Sequence, residues 1–187
     1  FVLPEALARI NEDFPKIDEP GNFPLEGLSF GPGFKAFADA MMGPEIKQRF
    51  AEKFQFDLEP YPPQMTVRRH MAPYDGNIHN DSRSKKITVL VYFNEEWNQK
   101  GGQLRITKNE TDMDDYYLEV PPVRGTLFAF RRNDHSFHGF PPAEGERRTI
   151  QMYWVEPKRL NRVKSTGWRK VVHKTVRRVL GLRSSNL

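Results

Sequence analysis

The chain has 187 residues, 28% charged and 37% hydrophobic, which is typical of a soluble globular protein with one sizeable core. It contains no cysteine and no apolar run longer than residues 89–93, which excludes disulfides, thiolate catalysis, Cys-type zinc sites and a membrane-spanning segment. The net charge of +5 is unevenly distributed along the chain. Residues 158–187 carry ten Lys or Arg and no acid, whereas residues 1–157 carry 19 of the 29 basic residues and all 24 acidic ones.

Apolar residues at helical spacing predict three helices in the N-terminal part of the chain. The first covers residues 4–14, the second is centred on residues 34–41, and the third on residues 46–54. Pro4 and Pro44 suit the first turns of the first and third helices, since proline has the backbone angle of a helix and lacks an N–H. We expect these helices to bury their aromatic stripes in a core.

Beyond Pro63 the apolar residues alternate with period 2, which predicts short strands. The predicted strands are residues 64–71, 86–93, 103–108, 116–120, 126–131 and 147–155. Short strands divided by Gly-Gly and Pro-Pro pairs favour a sandwich or barrel. We therefore predict a mainly β fold with flanking helices (α+β): one domain over residues 1–157, with a helical part at 1–60 packed on a jelly-roll core at 61–157.

The last segment, residues 158–187, is predicted to be a basic helical tail outside the catalytic core. Its apolar residues fall on one helical stripe and its basic residues largely off that stripe. Such a helix can lie on an anionic membrane surface, or it can pack its stripe on the jelly-roll. We expect a cytoplasmic protein, with peripheral membrane contact through the tail as the alternative to packing. Because the chain begins with Phe1 and not Met, the sequence leaves open whether a targeting segment precedes it.

A candidate metal site begins at His79-Asn80-Asp81. Residues two apart in an extended segment point the same way, so the imidazole and the carboxylate can bind one ion. Two histidines and one carboxylate on one face leave the opposite coordination positions open, as iron(II) requires when it binds an oxoacid and dioxygen. His138 is the best third ligand, and His135 competes with it on sequence grounds.

Several motifs in chain order resemble the 2-oxoglutarate and iron(II)-dependent oxygenases, in particular the prolyl 4-hydroxylase-like branch. Residues 69–81 look like the strand, glycine turn and first two ligands of that family, and Ser136-Phe137-His138-Gly139 looks like its distal histidine. The other similar segments are residues 87–97, Gly101-Gly102-Gln103-Leu104, residues 122–130 and Arg147-Arg148-Thr149. The resemblance implies a double-stranded β-helix, Fe(II) held by His79, Asp81 and His138, and 2-oxoglutarate as co-substrate.

The resemblance departs from the family at three positions, the first of which is Gln103, where an acid is usual. A tyrosine that contacts the oxoacid stands nine residues before the first ligand in prolyl hydroxylases, and here that position is His70. His70 is therefore either an oxoacid contact or a histidine satisfied within a strand. Thr149 replaces the serine of the family's Arg-x-Ser motif and keeps the hydroxyl.

The choice of oxoacid anchor follows from strand alternation. On the last strand, Arg147 and Thr149 share a polar face, whereas Arg148 opens a face that is otherwise apolar and should pack against the helices. A buried carboxylate needs a charge-assisted partner, which a guanidinium supplies. We predict that Arg147 and Thr149 bind the oxoacid, with Arg148 as the alternative anchor.

The resemblance implies an enzyme: a dioxygenase that uses O2 to hydroxylate a C–H bond of an unidentified organic substrate, with succinate and CO2 as co-products. One rival is a non-catalytic jelly-roll binding module, and another is a different metal-dependent chemistry on the same scaffold. Arg147 and Thr149 argue against both rivals, since neither needs an oxoacid anchor. A nucleic-acid substrate is disfavoured, because residues 1–157 are acidic.

Overall fold

The computed structural model describes residues 1–157, and the predicted tail lies outside the described residues. Three helices come first: α1 (Pro4–Glu12), α2 (Pro32–Met42) and α3 (Pro44–Phe54). Each begins with a proline, where the missing N–H has no helical partner to lose. The three predicted helices are therefore confirmed, with the first ending two residues early. No helix among residues 1–157 is long and apolar enough to cross a membrane.

Within residues 1–157, eight antiparallel strands form two sheets. The larger sheet has the order β1-β2-β8-β3-β6 and the smaller one β5-β4-β7. The strands are β1 (Phe23–Pro24), β2 (Pro63–Met71), β3 (Lys85–Tyr92), β4 (Leu104–Thr107), β5 (Tyr116–Val120), β6 (Leu127–Arg131), β7 (His138–Gly139) and β8 (Gly145–Val155). The six predicted strands are present within about two residues at each end. The two-residue strands β1 and β7 escaped prediction, because two residues show no periodicity.

Two apolar clusters lie on opposite faces of the larger sheet. The first lies between that sheet and the helices, and includes Ile150, Met152 and Trp154 of β8. The second lies between the two sheets and includes Leu90 and Tyr92 of β3. The even-numbered face of β8 thus packs against the helices, as its apolar pattern predicted. The fold is mainly β with flanking helices around a jelly-roll, and the opposite face of β8 looks into the space between the sheets.

The pairing of β2 with β8 is irregular beside Arg147. Arg68 pairs with Thr149 and His70 pairs with Glu146, so the register of β2 on β8 shifts between Arg68 and His70. Between these two pairs, β2 has one residue, Arg69, and β8 has two, Arg147 and Arg148, so the extra residue lies in β8. The register shift therefore lies at Arg147 and Arg148 of β8, opposite the stretch of β2 between Arg68 and His70.

Candidate active site

The backbone pairs the two histidines of the predicted metal site. His79 and His138 exchange two hydrogen bonds, each N–H donating to the other's carbonyl oxygen at 3.0 Å. Directly opposite residues of an antiparallel pair project their side chains to the same face. The two imidazole rings consequently lie with their centroids 4.4 Å apart.

Both imidazoles are held in the tautomer that a metal needs. Nδ1 of His79 lies 2.9 Å from the carbonyl oxygen of Asn77, and Nδ1 of His138 lies 2.9 Å from that of Ser136. A carbonyl oxygen only accepts, so each Nδ1 carries the proton and each Nε2 offers its lone pair. Burial, followed by the nearby charge of His79, lowers the pKa of His138 to about 4, which keeps this ligand neutral near pH 7.

Asp81 completes the group and connects it to the larger sheet. Thr88 of β3 donates its hydroxyl to Oδ2 of Asp81 at 2.6 Å, and the Lys85 ammonium donates to Oδ1 at 2.5 Å. Burial acts to raise the pKa of Asp81, but Lys85 and Thr88 outweigh it and lower this pKa below its usual value. Asp81 is thus a buried carboxylate kept in the charged form that binds a cation.

The three side chains fit a single metal ion. One ligand atom from each of His79, Asp81 and His138 lies within 4.8 Å of the others. Two imidazole nitrogens and one carboxylate oxygen are the donor set of non-haem iron(II) sites with open positions. His135 is exposed and is absent from this group, and its backbone N–H bonds the Asn133 side chain instead. The geometry therefore favours His138 over His135.

Arg147 lies on the face of β8 that looks between the sheets, and it is 1% exposed. Its Nε donates to the carbonyl oxygen of Gly102 at 2.9 Å, and its Nη2 to the Tyr92 hydroxyl at 3.4 Å. The rings of Phe140 and Tyr92 lie 4.5 and 5.0 Å from its guanidinium carbon. Burial lowers the pKa of Arg147 and also raises that of Tyr92.

No carboxylate within residues 1–157 forms an ion pair with Arg147. Burying a cation without an anion is costly, so such a side chain indicates a site for an anionic ligand. Arg148 contrasts with it, because it points to the helices and pairs with Glu146 at 2.7 Å and with Asn11 of α1 at 3.1 Å. The predicted preference for Arg147 over Arg148 agrees with these contacts.

Gly102 holds the Arg147 side chain through its backbone carbonyl. Its φ of +80° is a conformation that side chains rarely adopt, and a Cβ there would clash with the Trp97 ring. Only glycine lets this carbonyl approach Arg147 at that point of the chain. The Gly101-Gly102 pair that resembled a family motif therefore has a local physical reason.

The structure does not bring His70 to this group. Arg68, on the near side of the register shift, lines the cavity beside the histidines, and its charge lowers the pKa of Arg147. His70 is absent from the lining of that cavity, and its backbone pairs with Pro20 and Gly21. The position that faces the site is thus occupied by Arg68, whose guanidinium pairs with Asp75 at 2.6 Å.

Sequence reasoning also missed Thr88 and Tyr92. Both lie on the face of β3 that looks between the sheets, alternating with Ile87, Val89 and Val91 in the helix-side core. Two hydroxyl side chains on one face of an otherwise apolar strand were the available signal. Thr149 is fully buried beside Arg147, and its hydroxyl donates to the Val91 carbonyl at 3.2 Å.

A jelly-roll that carries a His-Asp-His group and a buried arginine with no acidic partner among residues 1–157 is typical of the oxoacid-dependent metal oxygenases. The sequence profile of the 2OG-Fe(II) oxygenase superfamily matches residues 60–156, and the chain belongs to that superfamily. It is accordingly a 2-oxoglutarate-dependent dioxygenase, with Fe(II) as cofactor and with O2 and an organic molecule as substrates. Curated protein sequences include no match to it.

Solved structures support the fold. A prolyl-4-hydroxylase from Pseudomonas putida is 20% identical, with a TM-score of 0.58 over 82% of this chain and 88% of that one. A 2OG-Fe(II) oxygenase family oxidoreductase from Burkholderia pseudomallei is 14% identical, with a TM-score of 0.57 over 82% and 80%. The viral collagen prolyl hydroxylase of Paramecium Bursaria Chlorella virus-1 is 16% identical, with a TM-score of 0.52 over 81% and 88%. At these identities the similarity establishes the architecture alone.

Proposed function

We propose that His79, Asp81 and His138 bind Fe(II), and that Arg147 binds the distal carboxylate of 2-oxoglutarate, with Tyr92 beside it. The observation that carries this assignment is the buried guanidinium of Arg147, which has no carboxylate partner within residues 1–157. Its Nε and Nη2 bonds fix its plane, so the ligand meets a preorganised cation.

The bound iron, oxoacid and dioxygen supply an oxidation that hydroxylates a C–H bond and releases succinate and CO2. The chain contributes orientation and shielding. The Asn77 and Ser136 carbonyls fix both imidazole rings, Thr88 orients Asp81, and Phe140 covers Arg147 from water. A substrate enters a cavity of about 480 Å³ whose walls include His79 and Asp81.

Thr149 and His70 have weaker support as oxoacid contacts. The Thr149 hydroxyl already donates to Val91 and would have to turn to reach an oxoacid, although its position beside Arg147 is suitable. His70 does not line the cavity beside the histidines, so its role is better sought in the contact with Pro20. A hydrolase, an isomerase or a non-catalytic jelly-roll would gain nothing from a buried cation at Arg147.

Binding measurements with matched variants test the assignment. Purified protein should bind one Mn(II) per chain, followed by paramagnetic resonance, and then 2-oxoglutarate, followed by calorimetry without oxygen. His138→Ala should lose the metal and His135→Ala should keep it, since His135 is exposed and outside the group. Metal loss in the His135 variant with retention in the His138 variant would overturn the distal assignment.

We also propose a cytoplasmic protein in which residues 1–157 form the oxygenase domain and residues 158–187 form an interaction element that contacts anionic membrane surfaces. The ten basic residues of that segment, with no acid among them, support this idea, at about 1 kcal/mol for each cation near such a surface. Sedimentation with anionic vesicles should retain the full chain and release a chain ending at Pro157. Equal sedimentation of both would contradict the membrane role and leave packing on the jelly-roll.

A further inference from the structure

Asp75 is a carboxylate that lies close to Arg147 and pairs with a different arginine. The next residue, Gly76, packs on Phe140: the Phe140 N–H donates to the Gly76 carbonyl at 2.8 Å, and a Cβ at Gly76 would overlap the Phe140 ring. The Phe140 ring in turn lies 4.5 Å from the guanidinium carbon of Arg147. Burial lowers the pKa of Arg147, and the charge of Asp75 acts in the opposite direction. An acid that could occupy the proposed oxoacid anchor is therefore part of the same cavity.

Two hydrogen bonds hold the Asp75 carboxylate away from Arg147. Nη1 of Arg68 donates to Oδ2 of Asp75 at 2.6 Å, and the backbone N–H of Ala72 donates to the same oxygen at 3.0 Å. Arg68 is itself fixed, because its Nε donates to Oδ1 of Asn22 at 3.2 Å. The Arg68 side chain is 7% exposed and that of Asp75 is 19% exposed, so the pair lies largely out of water. A charge-assisted bond is strong in such surroundings, and it commits this carboxylate to Arg68.

Arg147 would be the alternative partner of the Asp75 carboxylate if Arg68 were absent. Asp75 is attached to the cavity wall, so it would compete with the oxoacid as an intramolecular ligand at high effective concentration. A ligand whose site is free in only a fraction of the molecules has its Kd divided by that fraction. If Asp75 occupied Arg147 in about nine-tenths of the molecules, the apparent Kd for 2-oxoglutarate would rise about tenfold. Arg68 can therefore control oxoacid binding without touching the oxoacid.

We propose that Arg68 is a positioning residue for 2-oxoglutarate, and that it acts by holding the Asp75 carboxylate so that the Arg147 guanidinium stays free for the co-substrate. This inference rests on the proposed function of Arg147. It also accounts for two buried arginines beside one acid in a single cavity. Arg68 and Asp75 form a closed pair, and Arg147 is kept for an anionic ligand.

The test measures 2-oxoglutarate binding by calorimetry to the full-length Mn(II) protein without oxygen. Arg68→Met should raise the Kd about tenfold or more, because the released Asp75 then pairs with Arg147. The double variant Arg68→Met/Asp75→Ser should return the Kd to within about threefold of the wild type, because it restores the net charge of the cavity and offers Arg147 no carboxylate. Serine keeps an oxygen for the Ala72 N–H, so the local turn is retained. Asp75→Ser alone should bind the oxoacid at least as tightly as the wild type.

Arg69 provides the matched control, because it follows Arg68 in β2 and its loss removes the same charge from the chain. Arg69 pairs with Glu146 at 3.0 Å and is not part of the cavity wall, so Arg69→Met should leave the Kd for 2-oxoglutarate unchanged. A crystal structure of the Arg68→Met protein without the oxoacid should show the Asp75 carboxylate within about 4 Å of the Arg147 guanidinium. That observation separates the release of Asp75 from a general loss of positive charge, and it does not depend on oxoacid binding.

Three outcomes would overturn the proposal. Unchanged oxoacid binding in Arg68→Met would show that Arg68 does not control the anchor, and weak binding that persists in the double variant would mean that Arg68 contacts the oxoacid itself. An Asp75 carboxylate that stays away from Arg147 in the Arg68→Met structure would remove the competition. If Arg68→Met does not fold, Asp75→Ser decides, since weaker oxoacid binding there would give Asp75 a supporting role that the proposal excludes. Failure of the wild type to bind 2-oxoglutarate contradicts the proposed function instead, and the Arg68→Met structure then still tests the role of Arg68.

Discussion

Replacing Arg147 with methionine should separate oxoacid binding from folding. Methionine keeps much of the side-chain length and removes the charge, so no large cavity forms. Removing one partner of a buried ion pair costs about 3–5 kcal/mol, which is about a hundredfold or more in Kd. The 1% exposure of Arg147 and its enclosure by Phe140 and Tyr92 place it in this buried class. Calorimetry of 2-oxoglutarate binding to the Mn(II) form measures the loss.

The same substitution should not destabilise the protein in the absence of the oxoacid. Arg147 is then a buried cation with no carboxylate paired to it within residues 1–157, so its removal relieves an unfavourable charge. Thermal melting should show an unchanged or higher Tm for the Arg147→Met protein, and no further rise on adding 2-oxoglutarate.

Arg148→Met is the matched control, because Arg148 lies on the helix face and its ion pair with Glu146 is partly exposed. Partly exposed pairs contribute about 0–1 kcal/mol, so this variant should bind 2-oxoglutarate normally. If Arg148→Met lost the oxoacid and Arg147→Met retained it, the facing argument for β8 would be refuted.

Three further predictions concern the same site. Tyr92→Phe should weaken 2-oxoglutarate binding by about 1 kcal/mol, about fivefold by calorimetry, because one hydroxyl beside Arg147 is lost. Thr88→Val should weaken Mn(II) binding about tenfold to a hundredfold by paramagnetic resonance, since Asp81 loses its orienting bond. In metal-free protein, the pKa of His138 is about 4 when folded and 6.5 in its ordinary state, so the unfolded chain binds more protons between these values. The free energy of unfolding should therefore fall by about 3 kcal/mol as the pH drops from 6.5 to 4, and His138→Gln should abolish that part of the slope in denaturant titrations.

The sequence was most informative where function depends on local order. His79 and Asp81 are two residues apart in an extended segment, and the alternation along β8 assigns Arg147 and Arg148 to opposite faces of the strand. Both inferences need only the period of a strand. The structure places each of these four side chains on the face that alternation predicted.

The sequence was least informative about side chains whose position depends on how the strands pair. No residue type in the sequence indicates the register shift between Arg68 and His70. Counting nine residues back from His79 therefore selected a side chain beyond that shift. Lys85 reaches Asp81 across the turn at residues 82–85, a local contact that strand periodicity does not predict. Family spacing transfers poorly across a strand irregularity for this reason.

The N-terminal helices pack on the sheet that carries Arg147, although the superfamily profile matches only residues 60–156. Residues 1–60 supply half of the buried side chains in the helix-side cluster, and their partners include Ile150 and Trp154 of β8. Burying each large apolar side chain contributes about 1.5–3 kcal/mol, so losing this half exceeds a typical net stability of about 5–15 kcal/mol. A fragment of residues 61–157 should therefore show no cooperative thermal transition and bind no Mn(II), whereas residues 1–157 should do both. Cooperative melting of the short fragment with Mn(II) bound would mean that the strand face carrying Arg147 is held by the sheets alone.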